Sequence, residues 1–345
     1  IGQQLLLSIR SLKKNLLYAL FVVIGLSIGI STLISTFHWS AWHLTFDRSY
    51  PDRENIYRLT FEEDHEGFYR HTARIMHGTA LHRIVFTDMI SGIEKVGRMA
   101  PFRKAAFRLD DRSFYEEYAY SCDPAFLEIF SPQVISGSTE NLLREPFTLV
   151  LTESTARKYF GNMEPVGESL ELIHQFTLDP VSYTVSAVIE DFPENSHFRI
   201  SALTSFEDGV EYEGTAWSYM KISPNTDPEE LESQLRSFIE NNVDESYSDQ
   251  IIPHLQLVSD IHLYSHKARE IQTNVRARTV WVILLTGIFV FVLAWFNFTL
   301  LSYSRNQMQI HKLVIQWQMG AGRSIFFRQF LVDSLLIAAI SLLGG

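Results

Sequence analysis

The chain has 345 residues, a formal net charge of −11, 46% hydrophobic side chains and a single cysteine, Cys122. An acidic balance excludes a nucleic-acid binder, which needs a basic footprint for phosphates, and one cysteine excludes an intramolecular disulfide scaffold. The hydrophobic residues are also unevenly placed: Leu16–Phe37 and Val280–Leu301 are uncharged apolar runs, each long enough to cross a hydrocarbon core of about 30 Å as a helix.

Residues 1–15 form a short amphipathic segment with Arg10, Lys13 and Lys14, and no acidic residue precedes position 45. Positive flanks of this kind stay in the cytoplasm. The first span with its extension covers 16–44, and His38, Trp39 and Trp42 read as an interfacial belt rather than a cleavage site. Gly25 and Gly29 lie four apart with Ser27, Ser31 and Ser35 beside them. Small residues at that spacing let helices approach closely, so this face is a packing surface between spans or between halves.

Residues 45–278 form the outer domain, outside the cytoplasm. Only Asp333 of the 40 acidic residues lies beyond the middle of the chain, and seven of the 29 Lys and Arg residues lie in the flanks. That leaves 39 acidic against 22 basic residues and a formal charge of −17, a solvated acidic surface that keeps an exported domain soluble. Within it, 56–63 alternate as a strand, and the apolar spacing over 78–100 predicts a helix ending before Pro101. Residues 102–120 read as short strands. Asp123-Pro124 starts a helical turn to Phe130 with Phe126 and Phe130 on one face. Thr148–Thr152 is a strand, and Thr152 or Ser154 caps a helix that runs to Phe160 and stops at Gly161. Val181–Ile189 is a strand, Pro228–Asn241 is a helix capped by Asp227, and Leu255–Val258 is a strand. The outer domain is therefore α+β, with a β-rich centre over about 102–200 and a second lobe assembled from its two ends.

The second span covers 279–303, a cytoplasmic segment covers 304–324, and 325–345 begin a third span that is still apolar at Gly345. The missing initiator Met and this open end read as a piece of a longer protein. Asn297 and Asp333 are polar groups inside apolar runs. An ionisable group there is costly, so Asp333 is paired with a group such as Arg328, sits near the cytoplasmic interface, or transmits motion.

Chemistry-bearing patterns are weak. Glu62-Glu63-Asp64-His65 with His71 lacks a third ligand at a fixed spacing and reads as a solvated polar loop. His254, His262 and His266 offer no better set. Gly320-Ala321-Gly322-Arg323-Ser324 lacks the spacing and Lys-Ser/Thr ending of a phosphate loop, and no Gly-x-Ser-x-Gly elbow is present. The chain reads as no enzyme, with no catalytic, metal or cofactor residues.

Several strings nonetheless carry a resemblance. Phe46-Asp47-Arg48-Ser49-Tyr50-Pro51 with Asn55-Ile56-Tyr57-Arg58, then Asp123 to Phe130, Leu151 to Gly161, Glu164-Pro165-Val166-Gly167, Val188 to His197, and Ile261-His262-Leu263-Tyr264 follow one another in order. Together with Phe296-Asn297-Phe298, Gly320-Ala321 and Gln329-Phe330-Leu331, they resemble MacB/FtsX-type ABC transporter permeases with a MacB-like periplasmic core domain, most like the large permeases of Bacteroidota-type bacteria. The resemblance implies a multi-pass inner-membrane protein whose large periplasmic domain has a porter-like α/β lobe and a β-rich lobe. It implies a type VII mechanotransmitter, driven by a cytoplasmic ABC ATPase that carries the ATP and Mg. A second permease half or homologous permease, and a periplasmic or outer-membrane partner, complete the expected set. The chain departs from the family in the link between spans two and three. The family pattern there is Arg-x-Lys-Glu-Ile-Gly-Ile-Arg-Lys-x-x-Gly-Ala. Here Lys312 replaces the Glu, Gln316 the Arg and Trp317 the Lys, while Gly320 and Ala321 remain. Either the ATPase contact has drifted with its partner, or this half is an uncoupled scaffold or sensor holding an envelope partner. Asp333 falls where the family commonly has an acidic residue after Gln-Phe-Leu.

Overall fold

The structure, a computed structural model, describes residues 10, 16–65, 68–73, 75–76, 90–101, 105–110, 112–140, 142–173, 180–206, 215–242, 251–308, 314 and 323–344. The chain divides into two compact units, one of residues 1–44 and 276–345 and one of residues 45–275.

The first unit is helical. Helix α1 spans Leu16–Leu44, and two further helices, numbered last in chain order, span Ala277–Met308 and Arg323–Gly344. Leu16–Leu44 and Ala277–Arg305 are long and apolar enough to cross a membrane. The helix after the outer unit starts at Ala277 and runs through Met308, past both ends of the predicted 279–303. Helical hydrogen bonding does not stop where apolar side chains stop, so Arg278 and residues 304–308 extend it. Val22, Leu26 and Ile337 are the buried centre of this unit. Ser27 Oγ donates to the Ser341 carbonyl at 2.9 Å, Ser341 Oγ donates to the Val23 carbonyl at 3.3 Å, and the Tyr18 and Ser302 hydroxyls pair at 3.0 Å. Hydrogen bonds and small residues, rather than water exclusion, hold helices together in a lipid environment.

The second unit is built on fourteen strands among the described residues. They are β1 (Ile56–His65), β2 (Phe68–Thr72), β3 (Ile75–Met76), β4 (Ile93–Pro101), β5 (Ala105–Leu109), β6 (Arg112–Glu116), β7 (Ala119–Cys122), β8 (Val134–Gly137), β9 (Thr148–Thr152), β10 (Ser169–Ile173), β11 (Val181–Ile189), β12 (Ala202–Ser205), β13 (Thr215–Ile222) and β14 (Ile251–Leu257). Their hydrogen-bonded order is β14-β1-β13-β4-β7-β12-β9-β11-β10-β5-β6, with β2 on β1, β3 on β13 and β8 on β11. Among the described strands only β7–β12 and β9–β11 pair in parallel, so the sheet is mixed.

The order divides at β4–β7 into strands from the two ends of the domain and strands from its centre. Each part has its own core. Helix α4 (Pro228–Asn242) lays Leu231, Leu235 and Ile239 against Leu59, Phe61, Met220 and Ile222. Its first free N–H groups are met by Asp227, whose Oδ1 accepts from Glu229 N at 3.0 Å. Helix α3 (Glu153–Phe160) lays Ala156, Tyr159 and Phe160 against Leu149, Leu151, Leu170 and Tyr183. Thr152 is its N-cap residue, but the hydroxyl is engaged with Thr155 Oγ1 at 3.0 Å rather than with a backbone N–H.

Two sequence expectations fail here. Residues 93–100 of the predicted helix 78–100 lie in strand β4, and 77–89 lie outside the described residues. β4 pairs with β13 on one side and β7 on the other, and Arg98, Met99 and Ala100 are buried. A central strand covered on both faces loses the simple alternation that marks a half-buried one. The polar loop expected over 62–71 is instead a hairpin, in which Phe68–Thr72 pairs antiparallel with Phe61–His65. The last strand is longer than predicted; Pro253 sits in it because β14 is the sheet's edge, where a missing N–H is tolerated.

Helix α2 (Pro124–Phe130) crosses β4 at Gly97, where a Cβ would lie 2.3 Å from Phe126 N. Its cap residue Asp123 does not cap it with its side chain. The carboxylate instead takes Arg98 in a fork, Nε at 2.8 Å and Nη2 at 2.9 Å, plus Arg98 N at 3.0 Å. This buried bidentate pair fixes α2 on the sheet.

Candidate functional site

The chain enters the outer unit at Thr45, directly after Leu44, and leaves it at Val275, two residues before the next long helix. The best-organised polar cluster among the described residues gathers at these two points. Asp47 holds a left-handed backbone, φ 57°, a conformation that Asp tolerates better than most residues. This turn aims its carboxylate at the loop after β11. Asp47 Oδ1 accepts from Ser196 Oγ at 3.0 Å, His197 N at 2.9 Å and His197 Nδ1 at 2.8 Å. His197 Nε2 meets the Tyr219 hydroxyl on β13 at 3.0 Å. A carboxylate only accepts, so Nδ1 carries the proton and Nε2 accepts from Tyr219. Burial pushes the Tyr219 pKa well up and keeps that proton in place. Tyr50 donates to Ser196 Oγ at 2.6 Å, and burial, then the Asp47 charge, raises its pKa as well.

The backbone repeats the same join. Asp47 N donates to the Asn195 carbonyl at 2.9 Å, and Asn195 Nδ2 donates to the Thr45 carbonyl at 3.0 Å. The outgoing segment is tied to the same place. Phe46 stacks on His262 with ring centroids 3.5 Å apart, Val275 N donates to the His262 carbonyl at 3.1 Å, and Gln272 Nε2 donates to the Ser196 carbonyl at 3.3 Å. Phe198 then joins the polar cluster to the aromatic core, 5.3 Å from Phe126, 4.8 Å from Phe130 and 5.2 Å from Tyr219. Ingoing turn, central loop and outgoing segment are thus one hydrogen-bonded joint.

A second tie joins β1 to the outgoing segment. Arg58 is fully buried and forks onto Glu270, Nη1 to Oε2 at 2.6 Å and Nη2 to Oε1 at 2.9 Å. Nη2 also reaches Gln256 Oε1 at 2.8 Å and Ser265 Oγ at 3.1 Å. A buried charge pair survives when its remaining donors and acceptors are met, as most of these are.

Four of the strings that carry the resemblance, Phe46–Pro51, Asp123–Phe130, Val188–His197 and Ile261–Tyr264, converge in space. Asp47 and Tyr50 come from the first, Phe126 and Phe130 from the second, Asn195, Ser196 and His197 from the fifth, and His262 from the last. Read singly they are turns and core aromatics. Their joint was missed because its partners lie about 150 residues apart, as Asp47 and His197 do.

The expected coupling residues Lys312, Gln316, Trp317, Gly320 and Ala321 lie outside the described residues. Asp333 lies in the helix Arg323–Gly344, with its side chain outside the description. In the helical unit a Cβ on Gly29 would lie 2.5 Å from the Ala294 Cβ, and one on Gly25 would lie 3.7 Å from Asn297 Nδ2. Gly25, Gly29 and Asn297 are therefore on the facing surfaces of the two long helices. His254 stands between Glu62 at 3.2 Å and Glu232 at 3.4 Å. Among the described residues no group of three His, Cys, Asp or Glu side chains is placed to hold a metal ion.

Three solved structures align with part of the chain. A domain of a protein described as a permease from Porphyromonas gingivalis aligns with TM-score 0.48 and 20% identity over 61% of this chain and 93% of its own. The periplasmic region of MacB from Actinobacillus actinomycetemcomitans aligns with TM-score 0.43 and 14% identity over 60% and 90%. The extracellular domain of the noncanonic ABC-type transporter YknZ from Gram-positive bacteria aligns with TM-score 0.42 and 12% identity over 58% and 99%. No curated protein matches the chain. Residues 19–238 match the MacB-like periplasmic core domain family, in agreement with the ordered strings, and the chain therefore belongs to that family.

Proposed function

We propose that this chain is the permease part of a type VII ABC transporter and works as a mechanotransmitter in a bacterial inner membrane. A partner cytoplasmic ATPase hydrolyses ATP, the long helices move, and the outer unit moves with them. The observation that carries this reading is the joint of Asp47, Ser196, His197 and Tyr219, reinforced by Phe46 on His262. A domain that must follow two helices needs its ingoing and outgoing strands fixed to each other, or helix motion is lost as local bending. Rigid, buried, fully packed networks transmit displacement because packed cores do not deform continuously. The outer unit then acts by moving a partner or cargo rather than by chemistry of its own.

The test is reconstitution with the partner ATPase. Stimulated ATP hydrolysis is expected with the native chain, and deletion of residues 304–324 abolishes it. A complex that functions fully without any ATPase overturns the reading. A second reading is favoured by Lys312, Gln316 and Trp317, which stand where the family pattern has Glu, Arg and Lys. In it, this half is a scaffold or sensor that holds an envelope partner. Restoring the three family residues changes ATPase association under the first reading and leaves it unchanged under the second.

A further inference from the structure

The outer unit has an open cleft of about 790 Å³ against the outgoing segment, Ser265–Asn274. Nothing in the proposed transmission uses it. Its wall is pinned from behind: Thr72 bridges Ala268, Ala73 N donates to the Ala268 carbonyl at 3.0 Å, and Trp217 Nε1 donates to the Arg269 carbonyl at 3.0 Å. Asn274 Nδ2 closes the segment on the Ser265 carbonyl at 3.0 Å. The cleft is therefore formed before any ligand arrives, and little ordering opposes binding.

The charges facing it are unbalanced. Glu270 lies in the wall, but both of its oxygens are taken by Arg58, and Oε1 also accepts from Ser265 Oγ. Most of that carboxylate's charge is balanced by Arg58, although it still pulls on Lys267. Lys267 and Arg199 also line the cleft, and among the described residues neither makes an ion pair; Arg199 lies 5.9 Å over the Tyr118 ring. Glu117 is the one opposing charge among the described lining residues not already paired. Burial, and then the Arg58 guanidinium, lowers the Lys267 pKa, while Glu270, Glu62 and Glu232 pull it up.

We propose that this cleft binds a hydroxyl-bearing phosphate, with Lys267 and Arg199 on the phosphate oxygens and the side-chain carbonyls of Gln272 and Asn274 accepting from its hydroxyls. Each of those amides spends one N–H on the Ser196 or Ser265 carbonyl, and its side-chain oxygen is an acceptor. Arg and Lys together suit a phosphate better than a neutral sugar, and the volume suits a molecule larger than inorganic phosphate. A soluble glycerol phosphate and a phosphatidylglycerol head group share this chemistry.

The experiment uses the full chain in nanodiscs. In phosphatidylcholine discs, glycerol 1-phosphate is titrated calorimetrically. In discs containing phosphatidylglycerol, native mass spectrometry counts the retained lipid. Binding in the first arm identifies a soluble ligand, and extra retained lipid in the second identifies a head group. In either arm Lys267→Met and Arg199→Met each weaken binding about tenfold, and Glu117→Gln tightens it. Melting temperatures confirm that the variants fold. The proposal is overturned if neither arm shows binding by the native chain, or if the Lys267→Met/Arg199→Met double variant binds as the native chain does.

Discussion

Asp47 Oδ1 and His197 Nδ1 lie 2.8 Å apart although 150 residues separate them, and both side chains are buried. Removing either partner strands the polar atoms of the other in a buried site. Asp47→Ala and His197→Ala are each expected to destabilise the outer unit by about 3 kcal/mol. Asp47→Asn keeps the Oδ1 acceptor and puts an NH₂ where Oδ2 has no partner, so its cost is smaller but not zero. Thermal unfolding of the full chain in detergent gives this ranking, and equal melting temperatures for Asp47→Ala and native chain contradict it.

Gly97 lets α2 lie on β4, because a Cβ there meets Phe126 N at 2.3 Å and Phe126 Cα at 2.6 Å. The obstacle is backbone, which cannot rotate away. Gly97→Ala is therefore expected to push α2 off the sheet and loosen the Arg98–Asp123 fork, at a cost of about 3 kcal/mol. By contrast Gly161→Ala, at the end of α3, has nothing within 4 Å of the added Cβ, meets only backbone strain from φ 62° and costs about 1 kcal/mol. Chemical unfolding of the two variants separates packing from strain.

Lys267 has a folded pKa below its usual 10.5, chiefly from burial and then from Arg58, with Glu270, Glu62 and Glu232 pulling the other way. The unfolded chain therefore binds this proton more tightly than the folded one. The resulting penalty is fully present below the folded pKa and disappears as pH rises past the unfolded value. Lys267→Met is expected to melt higher than the native chain at pH 7.5, with the gap closing toward pH 10.5. A gap that widens with pH contradicts the assignment.

Cys122 is buried beside Asp123, and burial first, then that charge, raises its pKa well above the ordinary value. A buried neutral thiol is a poor nucleophile. Maleimide at pH 8 is expected to leave Cys122 unlabelled in the folded chain and to label it once denaturant is added. This low background permits a test of the helical unit. Gly25→Cys with Asn297→Cys is expected to cross-link under mild oxidation, because a Cβ on residue 25 lies 3.7 Å from Asn297 Nδ2. Gly25→Cys with Phe296→Cys, whose partner is exposed, is expected to stay open.

Much of the local structure is legible in single segments. Asp227-Pro228 with two following glutamates marks the start of α4, and Leu231, Leu235 and Ile239 bury as their spacing requires. β11 is read from its alternation. β4 is misread because a strand covered on both faces shows no period, and β2 is misread because a polar hairpin looks like a polar loop. In both cases the missing information is the neighbouring strand.

Sequence alone determined the two apolar helices, the sign of the flanking charge, the acidic outer domain and the family, because these depend on composition and local order along the chain. Only the tertiary structure decided that Asp47, Ser196, His197, Tyr219 and His262 form one joint, and that Lys267 and Arg199 share a cleft. The reason is distance along the chain. A helix or strand is specified within a few residues, whereas a buried polar contact is specified by sheet order and register. Those are settled only when the β4–β7 pairing brings the two parts of the sheet together.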